Sequence, residues 1–217
     1  MEAIRIETGP QPRAAVLWLH GLGADGHDFE PIVPELDLSG LPPVRFVFPH
    51  APVRPVTLNG GMAMRAWYDI FRLGGGPEDE AGIRASEKVL NELVEAEKQA
   101  GIPPAKVVLA GFSQGGAIAL QTALRHPGRL AGVMALSTYL PIAGTLAKEK
   151  SSANQAIPIF MAHGSYDDVI PLARAEESRR KLEGEGYKVE WRTYPMPHSV
   201  CGPEIADISA FLRRVLA

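Results

Sequence analysis

The sequence contains a single cysteine, Cys201, among 217 residues. One cysteine excludes an internal disulfide framework and a metal site built from several thiolates. No stretch approaches the roughly 18 apolar residues of a membrane-spanning helix. The N-terminal sequence M-E-A-I-R-I-E also lacks the basic region and apolar run of a secretion signal. We therefore expect a cytoplasmic protein without stable membrane insertion.

The sequence also lacks a concentration of positive charge. Lys and Arg together number 22 against 25 Asp and Glu, which gives a net charge of −3. No basic run or stripe of interleaved aromatic residues is present, so nothing would attract a phosphate backbone over a long range. Nucleic acid is excluded as a partner on these grounds. No H-E-x-x-H or comparable ligand set is present, and we expect no metal site.

Apolar runs of strand length alternate with segments of helical periodicity along the chain. This order predicts a mostly parallel sheet with helices on both faces, because each parallel crossover needs a connection of about a dozen residues. Neither an internal repeat nor a linker divides the chain, so a single domain over residues 1–217 is expected. The predicted strands are Ala3–Glu7, Ala14–Leu19, Val44–Phe48, Val107–Ala110, Ala131–Leu136, Ile157–Ala162 and Val189–Tyr194. The predicted helices lie within Asp25–Glu35, Glu80–Ala100, Ala117–Leu124, Pro171–Glu183 and Pro203–Leu216.

The motif G-x-S-x-G occurs at Gly111–Gly115, directly after a buried strand and before a helix. This placement is typical of a nucleophile elbow, in which a serine sits on a strained turn with its hydroxyl clear of the sheet. A serine at positive φ crowds the residues two before and two after it, so both must lack Cβ. Ser113 is therefore the predicted nucleophile.

A serine nucleophile needs a base, and the base needs an acid to orient it. In this type of fold the chain order is Ser, acid, His. His198, directly after the last predicted strand, is the histidine that satisfies this order. Asp167 and Asp168 lie in the loop leaving the preceding strand. One of them is the predicted acid, and the other is a helix cap or a solvated neighbour.

An oxyanion that develops on the substrate needs two hydrogen-bond donors. Ser113 opens a helix, so the backbone N–H of Gln114 should point into the site with the helix dipole behind it. The second donor is expected in the loop His20–Gly23, where Leu22 is the candidate. The Leu22 side chain is a candidate for the acyl pocket, although an ordinary core position would explain it equally well.

The segment Ala51–Gly76 departs from the alternation of strands and helices. It combines several Gly and Pro residues with apolar and aromatic ones, and we predict a long loop that forms a wall of the active site. The interval Thr138–Ala156 must hold a crossover, so it leaves no room for a cap domain. The predicted substrate-binding residues are Leu22, Trp67, Ile70, Phe71, Leu73 and Val169.

Two other functions compete with ester hydrolysis. Gly21, Gly23 and Gly26 match the dinucleotide fingerprint G-x-G-x-x-G, but the following strand lacks the acid that would bind a ribose. A catalytically silent hydrolase fold that only binds ligands is the second alternative; such a protein would be expected to have lost a triad member. Cys201 lies three residues after His198 but has no elbow, which favours a structural thiol.

Several motifs together resemble one family. They are H-G-L-G-A-D-G-H-D-F, N-G-G-M-x-M-R-A-W-Y-D-I, G-F-S-Q-G-G-A-I-A-L, L-S-T-Y-L-P, H-G-S-Y-D-D-V-I-P and P-H-S-V-C. In this order they are similar to the bacterial carboxylesterase and acyl-protein thioesterase family over nearly the whole chain.

The resemblance implies an α/β-hydrolase fold that acts without a cofactor, often as a homodimer. It implies hydrolysis of short to medium acyl esters, and extends to acyl thioesters or lysophospholipids. By motif position it assigns Ser113 as nucleophile, Asp167 as acid, His198 as base, and Leu22 and Gln114 as oxyanion donors. One departure is the proline-rich sequence Pro195–Pro197 before the base, where the family has a Gly-Met-x-His pattern; two fixed φ angles would stiffen this loop.

Overall fold

A sheet of seven strands forms the centre of the molecule, in the order β1-β3-β2-β6-β7-β8-β9. The structure, a computed structural model, describes residues 1–72 and 75–217. β1 pairs with β3 in the antiparallel sense, and every other pair of neighbours in this sheet is parallel. The mostly parallel sheet predicted from the sequence is confirmed. The strands of the sheet are β1 (Ala3–Glu7), β2 (Ala14–Leu19), β3 (Val44–Pro49), β6 (Val107–Phe112), β7 (Gly132–Leu136), β8 (Ile159–Gly164) and β9 (Val189–Tyr194).

Helices cover both faces of the sheet. Successive residues of a strand point to opposite faces, and in β2 this places Leu17 with the helices of one face and Trp18 with the other. The helices are α1 (Glu80–Gln99), α2 (Gln114–Arg125), α3 (Leu146–Glu149), α4 (Leu172–Gly184) and α5 (Gly202–Leu216). The first face packs against α1, α2 and α4, whereas the second packs against α5. In the described part of the chain, no helix has the length and apolar character to cross a membrane.

The described part of the segment Ala51–Gly76 has more regular structure than a long loop. It contains a two-stranded antiparallel hairpin of β4 (Val53–Val56) and β5 (Met62–Arg65), with a 3-10 turn at Thr57–Asn59 between them. Gly60 and Gly61 follow the 3-10 turn with φ of 66° and 81°, a region that glycine enters without steric cost. The expectation of an irregular loop was wrong here, because β4 is too short and too proline-rich to show an alternating pattern.

The predicted helix within Asp25–Glu35 is also different in the structure. Turns occupy its first half, and a 3-10 helix spans Glu30–Glu35. Pro31 and Pro34 remove two of the backbone donors that a regular α-helix would use. Residues 138–156 hold only short helical turns and α3, so this fully described interval contains no cap domain.

The loops that leave β2, β6, β7, β8 and β9 all begin at the carboxyl ends of parallel strands. These ends meet at one edge of the sheet, where open α/β sheets bind their ligands. The loops after β6, β8 and β9 carry Ser113, Asp167 and His198 respectively. Topology therefore brings together three residues that lie far apart in the sequence.

Candidate active site

Ser113 occupies a strained turn between β6 and α2. Its φ of 54° and ψ of −120° fall outside the regions that ordinary residues prefer. Its backbone N–H donates to Leu136 O at 2.9 Å, which continues the pairing of β6 with β7 into the turn. A backbone in such a region costs on the order of 1–3 kcal/mol and persists where surrounding contacts over-determine it.

Gly111 and Gly115 permit this turn by lacking a side chain. A Cβ on Gly111 would overlap the backbone of Gly115, and a Cβ on Gly115 would overlap Leu19 O of the neighbouring strand. The predicted steric requirement is present for both glycines. Only the first of the two acts within the turn, because the second makes room for β2.

Asp167 is the aspartate that contacts His198, the predicted base. Its Oδ2 lies 2.7 Å from His198 Nδ1, and its Oδ1 accepts the N–H groups of Val169 at 3.0 Å and Ile170 at 2.8 Å. The bond to a carboxylate places the hydrogen of a neutral imidazole on Nδ1, so Nε2 has a free lone pair. The carboxylate thus selects the tautomer that a general base needs.

Asp168 does not cap α4, which was one of the two roles expected for the second aspartate. The residue at the N-terminal boundary of α4 is Pro171, and no side chain caps this helix. Asp168 is exposed. It is the solvated neighbour, because the turn that directs Asp167 inward directs the next side chain outward.

The loop that carries His198 packs directly on the loop that carries Asp167. Ser165 N donates to Tyr194 O at 2.8 Å, and Tyr166 N donates to Met196 O at 3.1 Å. Gly164 makes this approach possible, since a Cβ there would overlap the carbonyl oxygens of the proline-rich loop. The proline-rich loop Pro195–Pro197, which departs from the family pattern, is therefore held in place by backbone contacts.

The ring of Phe112 holds the other side of the base. Its centroid lies 4.6 Å from that of His198, and Phe112 directly precedes Ser113. Ser113 and His198 both belong to the described part of the chain, where no hydrogen bond joins Ser113 Oγ to His198 Nε2. In hydrolases this bond commonly closes only when a substrate is bound.

A second histidine, His163, contacts Asp167, the predicted acid. No role was predicted for it from the sequence. His163 Nε2 donates to Ile170 O at 2.8 Å and lies 3.3 Å from Asp167 Oδ2. Burial lowers the pKa of His163, so the ring is neutral near pH 7. Its Nδ1 is buried and has no hydrogen-bond partner in the described structure. His163 thereby connects the acid to the backbone of the loop that follows it.

The expected oxyanion donors lie on two sides of Ser113. Gln114 begins α2, and the first N–H groups of a helix have no partner within it. In the other loop, Gly23 N donates to Arg65 O at 2.9 Å and Ala24 N to Gly21 O at 3.4 Å, but no such bond uses Leu22 N in this described loop. Both Leu22 and Gln114 line the cleft at Ser113.

His20 fixes the shape of the Leu22 loop. Its Nε2 accepts the N–H of Ala51 at 3.0 Å, so its Nδ1 carries the hydrogen that is donated to Gly21 O at 2.7 Å. Burial lowers the pKa of His20, which keeps this arrangement neutral. Gly21 C=O and Leu22 N–H belong to the same planar peptide group, so this hydrogen bond also fixes the direction of Leu22 N–H.

Trp67 is not part of the cleft wall, which corrects the prediction that it binds substrate. It is 1% exposed and lies in the hydrophobic core. Its Nε1 donates to His20 O at 3.0 Å, and its backbone N–H donates to the Gln114 side chain at 2.7 Å. Trp67 therefore braces the two loops that carry the oxyanion donors. Apolar character alone could not distinguish a brace from a pocket wall.

The other predicted substrate-binding residues do meet at one cleft, with one exception. Leu22, Ile70, Phe71 and Val169 line the cleft together with Ser113. Leu73 lies outside the described residues. Further lining residues were not among those predicted. Five of them matter below, and the first three lie in motifs quoted above: Tyr68, Tyr139, Ile170, Glu78 and Arg174.

The loop Gly21–Gly26 does not have the structure of a dinucleotide-binding turn. The fingerprint requires an α-helix whose N-terminus faces the pyrophosphate, whereas turns and a 3-10 helix follow here, and residues 20–43 are all described. Gly26 has a different reason to lack Cβ, because a side chain there would overlap Phe48 O. This alternative function is therefore withdrawn.

The chain is similar to known proteins over nearly its whole length. The family described as phospholipase/carboxylesterase matches residues 1–216. An acyl-protein thioesterase 1 of Gibberella zeae is 39% identical over 216 residues, which cover 95% of this chain and 92% of the relative. An acyl-protein thioesterase 1 of Neurospora crassa is 41% identical and covers 92% of this chain and 85% of the relative. Both relatives are fungal rather than bacterial.

Solved structures show the same fold. The crystal structure of Arabidopsis thaliana SOBER1 superimposes with a TM-score of 0.90 at 32% identity, covering 94% of this chain and 100% of that one. The crystal structure of Zea mays acyl-protein thioesterase 2 gives a TM-score of 0.85 at 28% identity, with 99% of each chain covered. The expected α/β-hydrolase fold is thus confirmed.

Proposed function

Because the chain belongs to the phospholipase/carboxylesterase family, whose members hydrolyse acyl esters and thioesters, we propose that Ser113, His198 and Asp167 carry out this hydrolysis as a triad. The observation that supports the proposal most strongly is the hydrogen bond of 2.7 Å between His198 Nδ1 and Asp167 Oδ2. It links two loops at the carboxyl edge of the sheet and leaves Nε2 free beside the elbow of Ser113.

In the first step, Ser113 Oγ attacks the carbonyl carbon of the substrate while His198 Nε2 takes the hydroxyl proton. The substrate oxygen becomes an oxyanion that accepts hydrogen bonds from the N–H groups of Leu22 and Gln114. Asp167 stabilises the imidazolium that forms. His198 then gives its proton to the departing alcohol or thiol, and an acyl ester of Ser113 remains.

In the second step, water attacks the acyl-enzyme with His198 as the base. The same two N–H groups hold the second oxyanion. Collapse of this intermediate returns the proton to Ser113 and releases the carboxylic acid. All proton transfers run through one imidazole, and no cofactor takes part in this proposal.

Short to medium acyl chains are the proposed acyl groups. The described apolar wall of the cleft consists of a few side chains, among them Leu22, Ile70, Phe71 and Val169. Each buried methylene contributes about 0.8 kcal/mol, so specificity should rise with chain length until this wall ends. The relatives named acyl-protein thioesterase extend the proposal to thioesters of acylated proteins.

The experiment that tests the proposal compares the wild type with Ser113→Ala on an oxygen ester and a thioester of the same acyl group. We expect turnover of both to fall by roughly three or more orders of magnitude, since triad members act as a unit. Ser152→Ala, a change in an exposed 3-10 turn, is the matched control and should retain full activity. Hydrolysis by Ser113→Ala at the wild-type rate would refute the triad, and a wild type inactive on every ester would favour a silent binding protein.

We further propose that the protein works as a homodimer in the cytoplasm. The first part rests on the family resemblance, and the second on the presence of one cysteine. Light scattering after size-exclusion chromatography would give twice the chain mass of 23.4 kDa for a dimer. Fractionation of the source cells would test the compartment.

A further inference from the structure

One end of the catalytic cleft is polar. Arg174, Glu78 and Tyr139 line the cleft and also the neighbouring depression, which contains Glu177 and Lys181. Ser113, by contrast, lines the cleft but not the depression. The first three residues, together with Gly76, therefore lie where the cleft meets the depression, and Ser113 is not among the shared residues. A plain alkyl chain that filled the cleft would reach this polar end.

The guanidinium of Arg174 lies over the ring of Tyr139. Its Cζ lies 3.4 Å from the centroid of the Tyr139 ring, a stacked arrangement that leaves the N–H groups at the edge of the guanidinium available. Two carboxylates close in sequence to these residues pair with other arginines: Asp79 with Arg54 at 3.9 Å, and Glu176 with Arg180 at 3.8 Å. Glu177 lines the same depression as Arg174. Among the described residues, no carboxylate forms an ion pair with Arg174.

Glu78 lines the same end of the cleft as Arg174, but its carboxyl is hydrogen-bonded to Ile142. Its Oε2 accepts the N–H of Ile142 at 2.9 Å, and its Oε1 is buried without a hydrogen-bond partner in the described structure. Burial raises the pKa of Glu78, and Arg174 opposes that shift.

The position of Arg174 is fixed before any ligand arrives. Ser178 Oγ donates to Arg174 O at 2.9 Å and accepts the N–H of Leu140 at 2.9 Å, which ties this turn of α4 to the residue after Tyr139. Tyr139 is fixed in turn by a hydrogen bond of 2.8 Å between its hydroxyl and that of Tyr68. A side chain held in this way loses little entropy on binding.

We propose that Arg174 binds a carboxylate at the far end of the acyl chain, so that preferred substrates are esters or thioesters of dicarboxylic acids. The inference rests on the proposed function and specifies its substrate class. Arginine binds carboxylates through two parallel N–H···O bonds, which are stronger than bonds between neutral groups. An alkyl end would instead desolvate the guanidinium without compensation.

The test compares two esters of equal carbon number, mono-p-nitrophenyl glutarate and p-nitrophenyl valerate. We expect the ratio of their kcat/KM values to fall about tenfold to a hundredfold in Arg174→Leu, because a charge-assisted contact is lost from one substrate only. Arg180→Leu removes an exposed arginine from the same helix and should leave the ratio unchanged. Glu78→Gln keeps an acceptor for Ile142 and should retain or increase the preference for glutarate.

An unchanged ratio in Arg174→Leu would overturn the inference. If that variant is unstable, Arg174→Gln tests the same loss of charge with a polar side chain, and the same two outcomes apply. The two proposals fail differently. Equal hydrolysis of both esters by the wild type and Ser113→Ala would refute the triad, whereas Ser113-dependent hydrolysis with an unchanged ratio would refute only the role of Arg174.

Discussion

The ring of Phe112 packs against the ring of His198 with 4.6 Å between centroids. The residue before the proposed nucleophile thus supports the proposed base, while Asp167 holds Nδ1 of the imidazole. Phe112 is supported in turn by Phe29, whose centroid is 5.5 Å away. The base is therefore positioned by packing as well as by its hydrogen bond.

Phe112→Leu should lower kcat about tenfold with little change in KM. The smaller side chain leaves the imidazole free to tilt, and displacements near 1 Å can cost up to about a hundredfold in rate. The measurement is steady-state kinetics on one short ester. Phe46→Leu is the control, because Phe46 is fully buried on the same face of the sheet but is not stacked on His198. Equal losses in both variants would indicate general destabilisation instead.

Asp167→Asn should lower turnover by roughly three to four orders of magnitude, since the amide no longer selects the correct tautomer of His198. Asp168→Asn should retain activity and melting temperature, because this exposed side chain neither touches the base nor caps α4. Kinetics and thermal denaturation of both variants give the answer. The opposite pattern would transfer the role of acid to Asp168.

His163→Leu should reduce kcat about tenfold, because Asp167 loses the neighbour that links it to Ile170 O. KM should change little, since His163 does not line the cleft. His163→Gln should recover part of the rate, because its amide N–H can replace Nε2 as a donor. If Gln and Leu at this position give the same kcat, the contribution of His163 is structural.

Glu204→Gln should stabilise the protein at alkaline pH. Glu204 is fully buried at the start of α5, and burial raises its pKa from 4.5 to about 8, although the backbone of Cys201 opposes the shift. Between these values the folded state holds a proton that the unfolded state has released. The contribution of Glu204 to the free energy of unfolding therefore falls as pH rises to about 8 and then becomes constant.

Glutamine cannot ionise, so in Glu204→Gln the free energy of unfolding does not decrease with pH through this residue. Its melting temperature relative to the wild type should increase between about pH 5 and pH 9. The exposed Glu35→Gln serves as the control and should show no such trend. A constant difference between Glu204→Gln and the wild type across this range would show that Glu204 does not titrate as described.

The sequence alone determined the strands of the main sheet, the helices α1, α2, α4 and α5, and the position of the elbow. It missed the hairpin of β4 and β5, and it predicted a helix within Asp25–Glu35 where the structure has turns and a 3-10 helix. The elements that it determined and the elbow depend on interactions between residues that are close in the sequence. A run such as Val107–Ala110 is buried on both faces and can form only an internal strand of such a sheet. The turn at Ser113 requires small neighbours within two residues, so its pattern is visible locally. His198 followed because the chain order of a triad leaves few alternatives.

The residues alone left Asp167 and Asp168 open, and the family resemblance favoured Asp167. Only the tertiary structure shows that Asp167 contacts His198, that Trp67 lies in the core rather than in the cleft wall, and that Arg174 lies over Tyr139. Neighbouring aspartates have the same chemistry, and the direction of the turn alone separates them. A large apolar side chain gains the same burial in a core as in a pocket wall. Arg174 and Tyr139 lie on different elements, and no periodicity within one segment records which residues of another segment it will face.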